Sequence, residues 1–186
     1  MSLINRIILS YNLRKKRQKF IKEFNRCNRM CPNTKLVVQG TFVYGKNITI
    51  YDEGIDNYLR SQIVVLTDAC LSIGDNSGLS QVSIICKEKI AIGANVKIGA
   101  GTMIFDTNFH NTDWQVRRDA NKDLVTAKTK PVFIGDDCFV GARCIICKGV
   151  SIGARSIIAA GSVVIHDIPE DSIAGGNPCV VIKKLH

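Results

Sequence analysis

Reactive chemistry in this sequence is easiest to place on one histidine. His110 lies in a polar stretch, residues 105–131, rich in Asp, Asn, Thr, Arg and Lys and holding the sole tryptophan, Trp114. A neutral imidazole, with an unperturbed pKa of about 6.5, accepts a proton readily near pH 7. With no metal-ligating partner nearby in sequence, His110 suits general-base work; the bland alternative is a solvated loop histidine. Asp106 and Asn108 come just before it. Either side chain could hydrogen-bond an imidazole nitrogen and set its tautomer, bind a reacting hydroxyl, or only shape the turn into the loop. Loops this long without structure of their own are uncommon and usually functional.

Metal and disulfide chemistry fit less well. The histidines are His110, His166 and the terminal His186, so a three-histidine zinc site is not expected, and no metal is. Of eight cysteines, Cys138 and Cys144 fall in a slot that wants a small buried side chain. Cys144 and Cys147 form a C-x-x-C without a second pair of matching spacing, and Cys27 and Cys31 also lack one. Core packing by reduced thiols suits a cytoplasmic protein.

The elements that must position His110 show as a six-residue beat. Ile92, Ile98 and Ile104 precede the polar stretch; Ile134, Val140, Ile146, Ile152, Ile158 and Val164 follow it. Gly93, Gly99, Gly135, Gly141 and Gly153 come directly after, with Ala159 once. Four residues past each aliphatic sits a compact residue: Val96, Thr102, Cys138, Cys144, Val150, Ser156 or Ser162. Neither a helix of period 3.6 nor a strand of period 2 makes this pattern. It predicts a parallel β-helix, one short strand and one turn per hexad, with the polar stretch leaving the coil and returning to it.

The remainder of the chain is read around that repeat. A length of 186 residues, 46% hydrophobic and only 6% aromatic, suits a narrow core of stacked aliphatics. No apolar run approaches the ~18 residues of a membrane span; the N-terminus does not look like a secretory signal, so a cytoplasmic location is the default. Residues 1–30 hold nine basic side chains against Glu23, a net of +8 out of +9, so the basicity belongs to a leader and not to a nucleic-acid-binding face. A helix is predicted over residues 3–24, with Leu3, Ile4, Ile7, Ile8 and Tyr11 on one face and Phe20, Ile21 and Phe24 in a second cluster. It would cap the open end of the solenoid or lie on a membrane surface as an interfacial helix. After Pro32 and Asn33, residues 35–66 read as irregular early coils with turns at Gly40, Gly45 and Asp52-Glu53-Gly54. Residues 71–90 are transitional. Ser172–Cys179 reads as a turn, and residues 180–185 as a last strand or the start of a helix.

Together the hexads, the motif Phe105-Asp106-Thr107-Asn108-Phe109-His110 and the tail through Gly175-Gly176-Asn177-Pro178-Cys179 to Lys183 resemble the hexapeptide-repeat acyltransferases. The similarity is to the maltose and galactoside O-acetyltransferase type and to polysaccharide O-acetyltransferases, over roughly residues 70–186. It implies an all-β solenoid, a left-handed parallel β-helix of triangular section, assembled as a homotrimer with acetyl-CoA between subunits. It implies general-base catalysis by His110, helped by Asn108 and Asp106, on a sugar or glycan hydroxyl, in surface polysaccharide biosynthesis. Gly141, Ala142 and Ala160 would line the pantetheine groove, and Ile165, His166 and Lys183 would lie near the nucleotide end. Asp113, Trp114 and Arg117 would bind the acceptor, Trp114 flat against a sugar ring. Three positions depart from the family pattern: Ala159 replaces a usual Gly, Val180 a common basic residue and His166 a common Lys.

Two other readings compete. The same base and thioester would serve N-acylation of an amino sugar or amino acid. A silent β-helix scaffold would need no such loop. The expected organisation is a basic helical segment over residues 1–30, the β-helix over 31–182 with the loop 105–131 inserted, and a tail over 183–186. Contact of the basic segment with a membrane would make a cytoplasmic protein membrane-associated.

Overall fold

The computed structural model describes residues 3–52 and 59–185, with side chains described from residue 14 onward. The side chains of Leu3, Ile4, Ile7, Ile8 and Tyr11, the Glu53-Gly54 part of the expected turn, and His186 lie outside the described residues.

Three parallel sheets form the walls of a prism. The first carries Arg29–Met30, Thr49–Tyr51, Gly78–Ser80, Lys97–Ile98, Phe139–Val140, Ile157–Ile158 and Ser172–Gly175. The second carries Lys35–Val38, Gln62–Val65, Ser83–Cys86, Met103–Phe105, Ile145–Ile146 and Val163–Val164. The third carries Thr41–Tyr44, Cys70–Ile73, Lys89–Ile92, Val132–Ile134 and Ser151–Ile152. The chain visits the sheets in that order, coil after coil. The hexad explains why: the aliphatic at each repeat position points inward, and Ile104, Val140, Ile146, Ile158 and Val164 are wholly buried. The compact slot is buried too, with Thr102, Cys144, Ser156 and Ser162 fully enclosed. All eight cysteines are free thiols.

Register is kept through the insertion. Phe139 pairs with Ile157, Ile145 with Val163 and Phe133 with Ser151, each 18 residues apart. Across the loop Lys97 pairs with Phe139 and Met103 with Ile145, 42 apart. The excursion therefore adds 24 residues (42 less 18) between the second and third sheets and returns in phase.

Three expectations are corrected. The described parts of residues 35–66 and 71–90 are not irregular or transitional: their strands, of three or four residues, stack in the same three sheets, for example Lys35 on Gln62 on Ser83. Longer strands satisfy the coil without a strict hexad. Ser172–Gly175 extends the first sheet, which leaves only residues 176–179 as a turn; Val180–Lys184 is a last strand, as one of the two readings had it, paired antiparallel to Ser172–Gly175. The coil also starts at Arg29, before residue 31, and its last strand runs on through Lys184.

Helix α1, Leu3–Phe24, closes one end. Phe24 is fully buried, and its ring and that of Phe20 pack on Phe42 and Tyr44 of the first third-sheet strand. Arg17 donates to the carbonyls of Thr34 and Pro32. The capping role thus holds for the part of the helix whose side chains are described. No described helix is long and apolar enough to cross a membrane.

The repeat's glycines answer a steric demand between coils. A Cβ on Gly135 would lie 2.6 Å from the Ala154 nitrogen and 2.8 Å from its Cα, both backbone atoms that cannot step aside. Gly78, facing outward, would meet only the Lys97 side chain at 3.5 Å. Gly135→Ala should therefore destabilise the protein by about 1–3 kcal/mol in denaturant unfolding, and Gly78→Ala by less than about 0.5 kcal/mol. Equal costs would contradict this account of the corners.

Candidate active site

The loop leaves the coil after Met103–Phe105 through a short antiparallel neck. Asn108 donates its N–H to the Lys128 carbonyl and Lys130 to that of Asp106, around a Thr107–Thr129 bridge. The polar stretch then forms two short helices, α2 (Trp114–Arg117) and α3 (Ala120–Thr126), where a structureless loop was expected. Asp113 caps α2 by accepting from Gln115 N–H, and Asp119 caps α3 through the Asn121 and Lys122 amides. Lys87 ties α3 to the coil by donating to the Leu124 carbonyl at 2.8 Å.

His110 is held by a residue that the sequence reading missed. Its Nδ1 lies 2.6 Å from Oδ2 of Asp123, whose Oδ1 accepts the Asn111 N–H at 2.6 Å. The Asp123 side chain is 7% exposed and that of His110 64%. A carboxylate can only accept, so Nδ1 donates to it, and in the neutral ring Nε2 is then the accepting nitrogen. Phe109, just before, takes a left-handed φ of +63°, a sparsely populated conformation for a bulky side chain, and its ring packs on Phe105. Asp119 capping a helix one turn before Asp123 was the available signal.

Asp106 is placed elsewhere. Fully buried, its carboxylate accepts the N–H groups of Lys87, Glu88 and Lys89 at 2.7–2.8 Å and the Cys86 thiol at 3.6 Å. Burial first, then the Asp106 charge, push that thiol up to about 12, so it stays protonated and donates. The Asp106 side chain thus shapes a turn and does not hold the imidazole. Asn108 is half-buried beside the neck, and its carboxamide makes no hydrogen bond to the described residues.

The expected acceptor residues divide likewise. Asp113 serves as a helix cap, and Arg117 donates to the Asn111 carbonyl at 2.7 Å, so both are engaged in folding the loop. Trp114 is 53% exposed, with the Arg118 guanidinium 4.4 Å from its ring centre.

The expected cofactor residues fall on different corners. Gly141, Ala142 and Ala160 stack where the first sheet hands over to the second, and a Cβ on Gly141 would lie 2.5 Å from the Ala160 nitrogen. The N–H groups of Ala142 and Ala160 have no acceptor among the described residues, whereas the comparable Ala94 and Lys46 amides are met by Asp136 and Asp75. Ile165 and His166 are exposed on the next corner, between the second and third sheets, where the loop also emerges. Lys183 is exposed on the last strand, opposite Ile173. No group of three His, Cys, Asp or Glu side chains among the described residues is arranged to hold a metal ion.

Hydrogen bonding from His110, then from the Asn111 amide, holds the Asp123 carboxyl below its ordinary value. The contribution of that carboxylate to anchoring the loop is complete above the unfolded value of about 3.9 and fades as pH falls through the lowered one. The emission of Trp114, the sole tryptophan, should therefore stay constant from neutral pH down to about 4 and shift below that. Asp123→Asn should remove that acid-side shift; a variant that kept it would assign the shift to another group.

Comparison with known proteins agrees with the repeat and the coil. Residues 131–165 match the family described as hexapeptide repeat of succinyl-transferase. A Saccharomyces cerevisiae protein provisionally named an acetyltransferase is 42% identical over 142 residues, 76% of this chain. Galactoside O-acetyltransferase of Escherichia coli is 30% identical over 145 residues, 78% of this chain. The matched regions span 58% of each of these two relatives. Among solved structures, a hexapeptide-repeat acetyltransferase of Vibrio cholerae, complexed with acetyl coenzyme A, aligns with a TM-score of 0.52 at 27% identity. That alignment covers 86% of this chain and 71% of the other. The chain is thus a hexapeptide-repeat protein with a left-handed parallel β-helix, the fold of these acetyltransferases.

Proposed function

We propose that the protein transfers an acetyl group from acetyl-CoA to a sugar hydroxyl in surface polysaccharide biosynthesis, as a cytoplasmic homotrimer. The observation that carries this reading is the His110–Asp123 pair on an exposed imidazole. Nε2 takes the proton of the acceptor hydroxyl as the oxygen attacks the thioester carbonyl, and the imidazolium returns it to the departing sulfur. Asp123 fixes the tautomer and stabilises the transient positive charge. The Asn108 carboxamide and the uncovered face of Trp114 are the groups available to an acceptor sugar. The Ala142 and Ala160 amides are available to carbonyl oxygens of the pantetheine arm or to the developing oxyanion, and Lys183 to a phosphate. The sugar specificity of the galactoside enzyme and the acetyl-CoA in the Vibrio cholerae structure support the substrate classes.

The corners support the trimer. His110, Ile165 and His166 stand at one edge of the second sheet, and Gly141, Ala142 and Ala160 at the other. A cofactor on the Gly–Ala column meets an imidazole most directly if that imidazole comes from a neighbour. The groove between two subunits would then be lined by Gly141, Ala142 and Ala160 of one and His110, Ile165 and His166 of the next.

Acetyl-CoA-dependent turnover on a panel of simple sugars tests the reading by thiol release. His110→Ala should lower kcat by at least about 10², and Asp123→Asn by at least about tenfold with the KM for acetyl-CoA unchanged. Unchanged turnover in His110→Ala would refute the base.

A further inference from the structure

The outer face of the first sheet carries a groove that no part of the acetyl-transfer machinery uses. Thr49, Gly78, Lys97 and Phe139 form one outward column in strand register, and Tyr51 pairs with Ser80 in the next. Gly78 is the only residue of the first column without a side chain, so the face dips there. The cavity measures about 410 Å³ and ends against Ile98 and Gly99, at the corner where the Gly–Ala column begins.

Its lining is of a particular kind. Phe139 is half exposed on an otherwise ordinary sheet face, and the Tyr51 ring is half-buried, with the Arg29 guanidinium 5.8 Å from its centre. Between these rings stand the Thr49 and Ser80 hydroxyls and the Lys97 ammonium, which donates to the Asn76 carbonyl at 2.8 Å and keeps further donors. Aromatic rings offer flat apolar surface to the C–H faces of pyranose rings, while hydroxyls and an ammonium serve their oxygens. Strand spacing makes the Thr49-to-Phe139 column about 14 Å long, more than one sugar ring needs, and a volume above about 300 Å³ suits a ligand of several rings better than a single small one. The lining has cationic and neutral groups but no carboxylate.

We propose that this groove is a glycan subsite: it holds sugar residues of an oligosaccharide acceptor beyond the one acetylated, so that the preferred substrate is a chain and not a free monosaccharide. The proposal rests on the acceptor being a sugar, and it deepens that reading. Tyr51 and Phe139 are the stacking surfaces, and Lys97 and Ser80 the polar contacts. Because the groove opens toward the donor corner, a chain lying in it would present its end to the site shared with the neighbouring subunit.

The test is acetyl-CoA turnover on a homologous series of neutral oligosaccharides from one to five units, together with direct binding of the same sugars by saturation-transfer NMR. In the wild type kcat/KM should rise with length by at least about tenfold, which is about 1.4 kcal/mol shared between the two stacking rings. Phe139→Ala and Tyr51→Ala should flatten that rise, abolish the NMR signal of the longer sugars and leave monosaccharide turnover unchanged. A length dependence that persists in both variants, or a flat wild-type series, would overturn the subsite. Oligosaccharide binding lost on His110→Ala but kept by Phe139→Ala would place the chain elsewhere. An assembly state that changes in Phe139→Ala would assign the groove to a second copy of the chain. If no sugar of any length is turned over, the sugar-acceptor reading itself fails; the NMR binding result then decides the subsite separately.

Discussion

Everything in this molecule depends on stacking one coil on the next in register. Each short strand is satisfied only by its neighbours above and below: Gly141 N–H reaches Ile158, Gly99 reaches Val140 and Gly135 reaches Ile152, all at 2.8 Å. Coils at strand spacing leave no room for a Cβ where corners pass, which is why glycine recurs there. Three residues after Ile73, Ile92, Ile98, Ile134, Val140, Ile146, Ile152 and Ile158 the turn takes a left-handed conformation, adopted by Asn76, Asn95, Asp137, Arg143 and Arg155 as well as by Gly101, Gly149 and Gly161. Six of these eight are Asn, Asp or Gly, the residues that best tolerate a left-handed backbone, so the backbone shape selects the side chain.

The same constraint makes a large insertion workable. Twenty-four extra residues can leave a corner only if exit and return lie on adjacent points of the stack, and the antiparallel neck around Thr107 and Thr129 provides that. Asp106 secures the exit by meeting three backbone N–H groups of the coil before it. Beside it, burial first and the Asp106 carboxylate second push the Cys86 thiol up to about 12, so it stays a neutral donor. Rigid coil and rigid neck together hold a loop whose own helices then present an imidazole backed by a carboxylate.

The sequence was informative where periodicity governed and silent where tertiary contact did. Nine aliphatics spaced by six located the walls, and the break located His110. The early coils were misjudged because four-residue strands tolerate more than the hexad. Asp123 was missed because its one local signal, the Asp119 helix cap, marks the helix and not the contact with His110 across 13 residues of loop, which is set by the folding of α2 and α3 and not by spacing. Asp106, four residues before His110, was one of two partners offered; its position on the coil side of the neck turns it to the Lys87–Lys89 amides, the turn-shaping alternative. The division of the expected cofactor residues among two corners and the last strand likewise follows from which sheet each strand joins, information a linear repeat does not display.

That split makes a shared site the central claim, and subunit complementation tests it most directly. Neither His110→Ala nor Ala160→Trp, an exposed position on the donor column, should turn over acetyl-CoA when pure. Subunits of the two kinds unfolded together, mixed in equal amounts and reassembled should regain about a quarter of wild-type turnover, because in a cyclic assembly that fraction of interfaces joins an intact loop to an intact column. A mixture as inactive as its parents would show that each subunit supplies its own base to its own column, and the shared site would be wrong.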